Sequence, residues 1–281
     1  MSLLLILLGL GGCTVQPQPE PPLSGGDSDA DADSDSDVDA DTDADTDTGT
    51  GIGEDCGAPE AEPAALETDD GLTLAADFHT VAAANAPAAI LFHMHPPSGF
   101  TRQDWHPDFI EALLAEGMHV LNVDRRGAGG SEGDPADAPG PDGWLDAKAA
   151  VDFVISHACA VDPTRIALVG ASNGTTTALD FAIQAGASDD LADPAALVFF
   201  TGGDYTEGQN AIDDHRGLLD TIPIQFIYQP AESAWSLGFQ DGAPDVWEFV
   251  EVEGGHGTEI FGIDPTVVPT VVDFLAGHLG S

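Results

Sequence analysis

The segment Gly170-Ala171-Ser172-Asn173-Gly174 places a hydroxyl between two glycines, where an apolar run, RIALV, meets a helical pattern, TTTALDFAIQ. A serine on a tight strand-to-helix turn is presented as a nucleophile. The flanking glycines let neighbouring backbone approach, and the start of the helix offers N–H groups to a developing oxyanion. The same spacing recurs at Gly129-Gly130-Ser131-Glu132-Gly133, but that copy runs into Asp134-Pro135 and not into a helix. Ser131 therefore reads as a loop residue. Ser172 is the candidate nucleophile, and Gly170 and Gly174 are the glycines of its turn.

A serine hydroxyl needs a base within hydrogen-bond reach, and the base needs an acid to orient it. Downstream of Ser172 lie His215, His256 and His278. His215 falls in a helical stretch and His278 in the last one. His256 sits in the loop EGGHG, just after the strand-like run VWEFV, and is the expected base. Glu232 is the first carboxylate after the run IQFIY; Asp204, after ALVFF, and Asp241 are its rivals. A glutamate is one methylene longer than aspartate and reaches an imidazole N–H from a loop set slightly back.

The oxyanion requires two backbone donors. One is expected from Asn173. The other is expected from His95 in LFHMHPPSG, because Pro96 and Pro97 carry no N–H. His93 and His95 also share one face of a strand, a spacing that can hold a metal. No later His and acidic set completes a metal-hydrolase pattern. His93 therefore reads as a polar residue beneath the oxyanion loop, and no metal or cofactor is expected.

These groups need a scaffold. Strand candidates are residues 89–94, 119–123, 166–169, 196–200, 224–228 and 246–250, after a hairpin over 64–80 turning at Asp69-Asp70-Gly71. Helical stretches lie near 104–116, 143–157, 174–185, 208–218 and 266–278. Such alternation predicts an α/β fold: a mostly parallel central sheet with helices on both faces. Only one helix and short loops fit between Phe200 and Ile224, so no large lid domain is expected. Phe100, Trp105, Tyr205, Trp235 and Phe261, on loops near strand ends, are candidates to line an open pocket.

LFHMHPPSG with Trp105 downstream, LNVDRRGAGGSEG, LVGASNG and GGHGTEIF occur in the order seen in one superfamily. Residues 64–280 resemble the α/β-hydrolases, nearest to dienelactone-hydrolase-like carboxylesterases. The resemblance implies a chain order of serine, acid and histidine, with Ser172, Glu232 and His256 as the triad and His95 and Asn173 at the oxyanion. It implies a serine hydrolase cleaving carboxylic esters; a peptidase or amidase with the same triad, or a surface binding protein that inherited the fold, are the alternatives. Two features depart from the pattern: dienelactone hydrolases proper use a cysteine nucleophile, and Glu232 stands where aspartate is usual.

Ahead of this region, residues 3–10 read LLLILLGL, the length of an export signal's apolar core and too short for a bilayer span. Gly11-Gly12-Cys13 follows and resembles a bacterial lipobox, which makes Cys13 the expected lipidation site, although no Lys or Arg precedes the apolar run. Residues 1–13 are then a signal peptide, 14–63 an acidic Pro/Asp-rich tether, expected to be disordered, and 64–281 the catalytic domain. The tether has Asp at every odd position from 27 to 47; it lacks the glycine and glutamate that an EF-hand loop requires. The expected location is an exported, lipid-anchored state on a bacterial membrane. In an exported protein the two remaining cysteines, Cys56 and Cys159, are expected to form a disulfide.

Charge narrows the partners. The 281 residues hold 50 Asp and Glu against 6 Lys and Arg, a net charge of −44. Sixteen acidic residues fall between 14 and 63, which leaves residues 64–281 at −28. Nucleic-acid binding is excluded, since phosphate contacts need clustered cations. The expected substrate is a neutral or cationic small-molecule ester, and the expected state is a monomer.

Overall fold

The computed structural model describes residues 53, 55–94, 99–205 and 210–280. Cys13, His95 and most of the expected tether lie outside the described residues. Eight strands form one sheet among the described residues: β1 (Glu62–Glu67), β2 (Thr73–His79), β3 (Ala86–Phe92), β4 (His119–Val123), β5 (Val161–Ala171), β6 (Ala196–Phe200), β7 (Ile224–Tyr228) and β8 (Trp247–Glu251). Their order is β1-β2-β4-β3-β5-β6-β7-β8. The β1–β2 hairpin and the β2–β4 pair are antiparallel. All pairings from β4 through β3 to β8 are parallel. The boundary expected at residue 64 falls inside β1, and Cys56 is already joined to the body of the fold.

Every residue of β3, β4, β6 and β7 is buried, as a parallel strand covered on both faces requires. Alternate side chains feed two cores. Ala88, Ile90 and Phe92 of β3 face one with Leu168 and Phe199; Ala89 and Leu91 face the other with Val169 and Phe200. The first core is closed by α2 (Trp144–Ser156) and α3 (Gly174–Ala185), the second by α1 (Pro107–Ala115) and α7 (Val267–Leu279). Between β6 and β7 the expected helix over 208–218 is a 3-10 turn at Ile212–His215 followed by α4 (Arg216–Leu219). Two further short helices, α5 (Ala234–Gly238) and α6 (Ile260–Ile263), follow β7 and β8.

Cys56 and Cys159 form a disulfide across 103 residues of sequence. It fixes the segment before β1 to the turn between α2 and β5. Closing a loop this long contributes about 4 to 5 kcal/mol on the chain-entropy model, with native strain lowering the figure. Cys56→Ser, or reduction of the wild type, is expected to lower Tm by about 10 °C for a domain of this size. Thermal unfolding followed by circular dichroism with and without dithiothreitol measures it; equal Tm values would contradict the expectation.

The six basic residues all turn toward the fold. Arg102 binds Asp77 and Asp124, Arg126 binds Asp70 and Asp146, Lys148 binds Asp69 and Asp152, and Arg216 binds Asp220 while its guanidinium stacks on Trp247. Arg165 donates to the backbone carbonyls of Asn85, Leu279 and Gly280. Arg125 is fully buried. The surface thus presents carboxylates with few cations among them.

Candidate active site

β5 ends at Ala171, and α3 begins three residues later at Gly174. Ser172 bridges the gap with φ of +51°, a left-handed conformation that costs a non-glycine residue energy and clusters at functional sites. Its N–H donates to Phe200 O at 2.8 Å, and its carbonyl accepts from Thr175 N at 3.0 Å and Thr175 Oγ1 at 2.7 Å. The glycines are needed for close approach. A Cβ at Gly170 would lie 2.5 Å from Thr175 N, and one at Gly174 would lie 2.2 Å from Phe92 O. The serine is 6% exposed.

His256 arrives from the loop after β8. Its Nε2 lies 2.6 Å from Ser172 Oγ and its Nδ1 lies 2.7 Å from Glu232 Oε2. Glu232 ends a 3-10 turn (Pro230–Glu232) directly after β7, and its extra methylene spans the distance from that turn to the ring. The rival acids lie elsewhere. Asp204 accepts from Trp235 Nε1 at 3.2 Å, and Asp241 is exposed in the turn after α5. The loop is further held by His256 N donating to Glu259 Oε2 at 3.3 Å.

Thr201 was not anticipated. It follows β6, is 1% exposed and has φ of +47°, an outlier for a β-branched side chain. Its Oγ1 accepts from Gly257 N at 2.8 Å and lies 3.4 Å from His256 Nδ1. The hydroxyl therefore buttresses the imidazole from the side opposite Ser172. Thr201→Val is expected to lower kcat about tenfold, the worth of one buried hydrogen bond, with KM changed less than threefold. Thr201→Ser should retain most of kcat. Steady-state kinetics on the three proteins checks this, and an unchanged valine variant would refute it. The only sequence signal was the Gly202-Gly203 pair marking a sharp turn after a strand.

Of the aromatic candidates, Tyr205 alone is brought close to the serine. Its ring centroid lies 6.4 Å from that of His256, and its hydroxyl donates to Thr201 O. Burial pushes its pKa up to about 12, with a hydrogen bond to Ser172 working in the opposite direction. The phenol therefore stays protonated near neutral pH. Trp105 and Phe261 are corrections: at 2% and 4% exposure they are core residues. Both stack on Phe109 of α1, and Trp105 meets Phe200 edge-on while Phe261 meets it at a tilt. Phe100 packs half-buried against the same core. Trp235 packs on Phe199, Phe226 and Phe239. A cleft of about 340 Å³ between α1 and β2, bordered by Trp105, Asp77, His79 and Glu111, contains none of Ser172, Glu232 or His256.

The remaining sequence features have structural parts. Ser131 Oγ donates to Asp124 O at 2.5 Å and accepts from Ala75 N at 2.9 Å, tying its loop to β2. Both ring nitrogens of His93 are engaged: Nδ1 donates to Met94 O at 2.6 Å and Nε2 accepts from Arg125 N at 3.1 Å. That donor and acceptor pattern corresponds to the neutral Nδ1–H tautomer.

A family model described as alpha/beta hydrolase family matches residues 89–276. Among solved structures, an esterase from Pyrococcus furiosus is similar to this chain, with a TM-score of 0.61 at 17% identity over 78% of this chain and 91% of that one. An esterase from Pyrobaculum calidifontis gives a TM-score of 0.58 at 15% identity, over 78% and 86% of the two chains. The alpha/beta hydrolase GrgF from Penicillium sp. sh18 gives 0.59 at 17%, over 79% and 99%. At these identities the likeness concerns the fold. No curated protein matches the sequence.

Proposed function

The chain belongs to the alpha/beta hydrolase family, and from that premise we propose that it is a serine hydrolase cleaving carboxylic esters through an acyl-enzyme. The observation that carries the reading is the continuous hydrogen-bonded line from Ser172 Oγ through His256 to Glu232. Ser172 attacks the acyl carbon while His256 Nε2 takes its proton. Glu232 fixes the ring with Nδ1–H toward itself and stabilises the imidazolium that forms. The negative oxygen is held by the N–H of Asn173 and, from outside the described residues, that of His95. His256 then returns its proton to the leaving alcohol and activates the water that releases the acid.

Two exposed carboxylates contact His256: Glu232, at its Nδ1, and Glu259, at its backbone N–H. They favour a neutral or cationic ester over an anionic one. The N-terminal reading completes the proposal, with a lipidated Cys13 holding the domain to a bacterial membrane through an acidic tether. Labelling with a fluorophosphonate probe, followed by turnover of p-nitrophenyl esters, tests the function. Labelling and ester turnover are expected. Folded protein that neither labels nor turns over would sink the reading, and peptide turnover alone would move it to a peptidase.

A further inference from the structure

Arg125 has 0% exposure, and its guanidinium meets only neutral acceptors among the described residues. Nε donates to Thr177 Oγ1 at 3.1 Å. Nη1 donates to Asn173 Oδ1 at 2.9 Å and His93 O at 3.3 Å, and Nη2 to Ala138 O at 3.1 Å. The nearby Asp146 attracts it through space but gives it no hydrogen bond, because Arg126 takes that carboxylate through both its backbone N–H and its Nε.

This placement is costly twice over. A buried cation without a hydrogen-bonded anion loses its hydration, and here burial outweighs the attraction of Asp146, which the positive charge of Arg126 also opposes. Thr177 and Asn173 also belong to the first turn and cap of α3, the end of a helix that repels positive charge. Burial pushes Arg125 down to about 10, so the group stays charged at neutral pH. A fold that needed only hydrogen bonds here could use an uncharged side chain.

The location accounts for the cost. Two of the four acceptors of Arg125 lie on segments that lead to the nucleophile: His93 O, just after β3, and the side-chain Oδ1 of Asn173, beside Ser172. We propose that Arg125 is a positioning residue for the oxyanion site, a buried positive charge that locks these segments together and adds its field to that of the α3 N-terminus. Acting from a buried position on the buried Ser172 turn, such a field strengthens the binding of an oxyanion that exists only during reaction. The substrate's neutral carbonyl gains little from it, so the effect belongs to kcat rather than KM.

The inference rests on the serine-hydrolase reading, and the two fail differently. The test compares wild type, Arg125→Met and Arg125→Lys for p-nitrophenyl acetate turnover and for inhibition by an arylboronic acid, which forms an anionic tetrahedral adduct on serine. Arg125→Met is expected to lower kcat by about tenfold to a hundredfold, below the loss of a direct oxyanion donor. KM should stay within threefold, and boronate affinity should fall in parallel with kcat. Arg125→Lys should recover most of both. Methionine kinetics like wild type, or lysine failing as badly as methionine, would overturn the proposal. Should Arg125→Met not fold, Thr177→Val decides beside Arg125→Lys. Thr177→Val removes a neutral partner and leaves the charge, so kcat within threefold together with active Arg125→Lys supports the proposal; a tenfold loss in Thr177→Val, or inactive Arg125→Lys, refutes it. A wild type that does not label with fluorophosphonate overturns the serine-hydrolase reading instead.

Discussion

Ser172→Ala is expected to lower kcat for a p-nitrophenyl ester by about 10⁵ to 10⁶-fold and to abolish fluorophosphonate labelling. The estimate follows from the behaviour of triads as a unit, in which removing the nucleophile costs as much as removing all three members. The structure makes the experiment clean. The Ser172 hydroxyl faces His256, whereas the backbone bonds that hold the turn, from Ser172 N to Phe200 O and from Thr175 N to Ser172 O, are retained by alanine. Stability should change by less than about 1 kcal/mol, as for other substitutions that leave packing intact. Residual turnover near the wild-type rate, with Tm unchanged, would mean that the hydroxyl does not perform the chemistry.

The second large effect separates the acids. Glu232→Gln keeps the side chain's shape but removes the charge that selects the Nδ1–H tautomer and stabilises the imidazolium. A loss of about 10³ to 10⁴-fold in kcat is expected. Asp204→Asn should stay within about threefold, because Asp204 bonds Trp235 and not His256. Glu232→Asp is informative as well: the shorter side chain starts from the same 3-10 turn and no longer spans the distance to the ring, so a loss of about a hundredfold is expected. Reversed outcomes for Glu232→Gln and Asp204→Asn would move the acid to the loop after β6.

The sequence made the scaffold legible where burial is continuous. The runs HVLNV, ALVFF and IQFIY coincide with β4, β6 and β7 because a parallel strand covered on both faces leaves an unbroken apolar signature. β5 is longer than its apolar run, since its first half, VDPTR, carries three polar residues and is fully buried only at Val161, yet still pairs Val161 with Ala86. The glycine spacing around Ser172 was readable because the turn excludes a Cβ at both positions. The aromatic candidates were not, since local sequence does not reveal which face of a loop residue meets a distant helix; Trp105 and Phe261 turned inward to each other. Arg125 and Thr201 escaped for the same reason. Adjacent arginines in DRRG carry the same local signature, and only the packed structure sends one to the carboxylates of Asp70 and Asp146 and the other beneath Asn173.

The engagement of every basic side chain bears on proteolysis. Arg102 is the first Lys or Arg in the chain, and it is held by Asp77 and Asp124. A protease with trypsin-like specificity has no cleavage site in the preceding 101 residues, and the sites that follow lie in hydrogen-bonded, packed segments rather than in accessible loop tips. Brief trypsin treatment should therefore leave the full-length mass intact. Cutting the catalytic body free of its N-terminal segment falls to enzymes that recognise acidic or small residues.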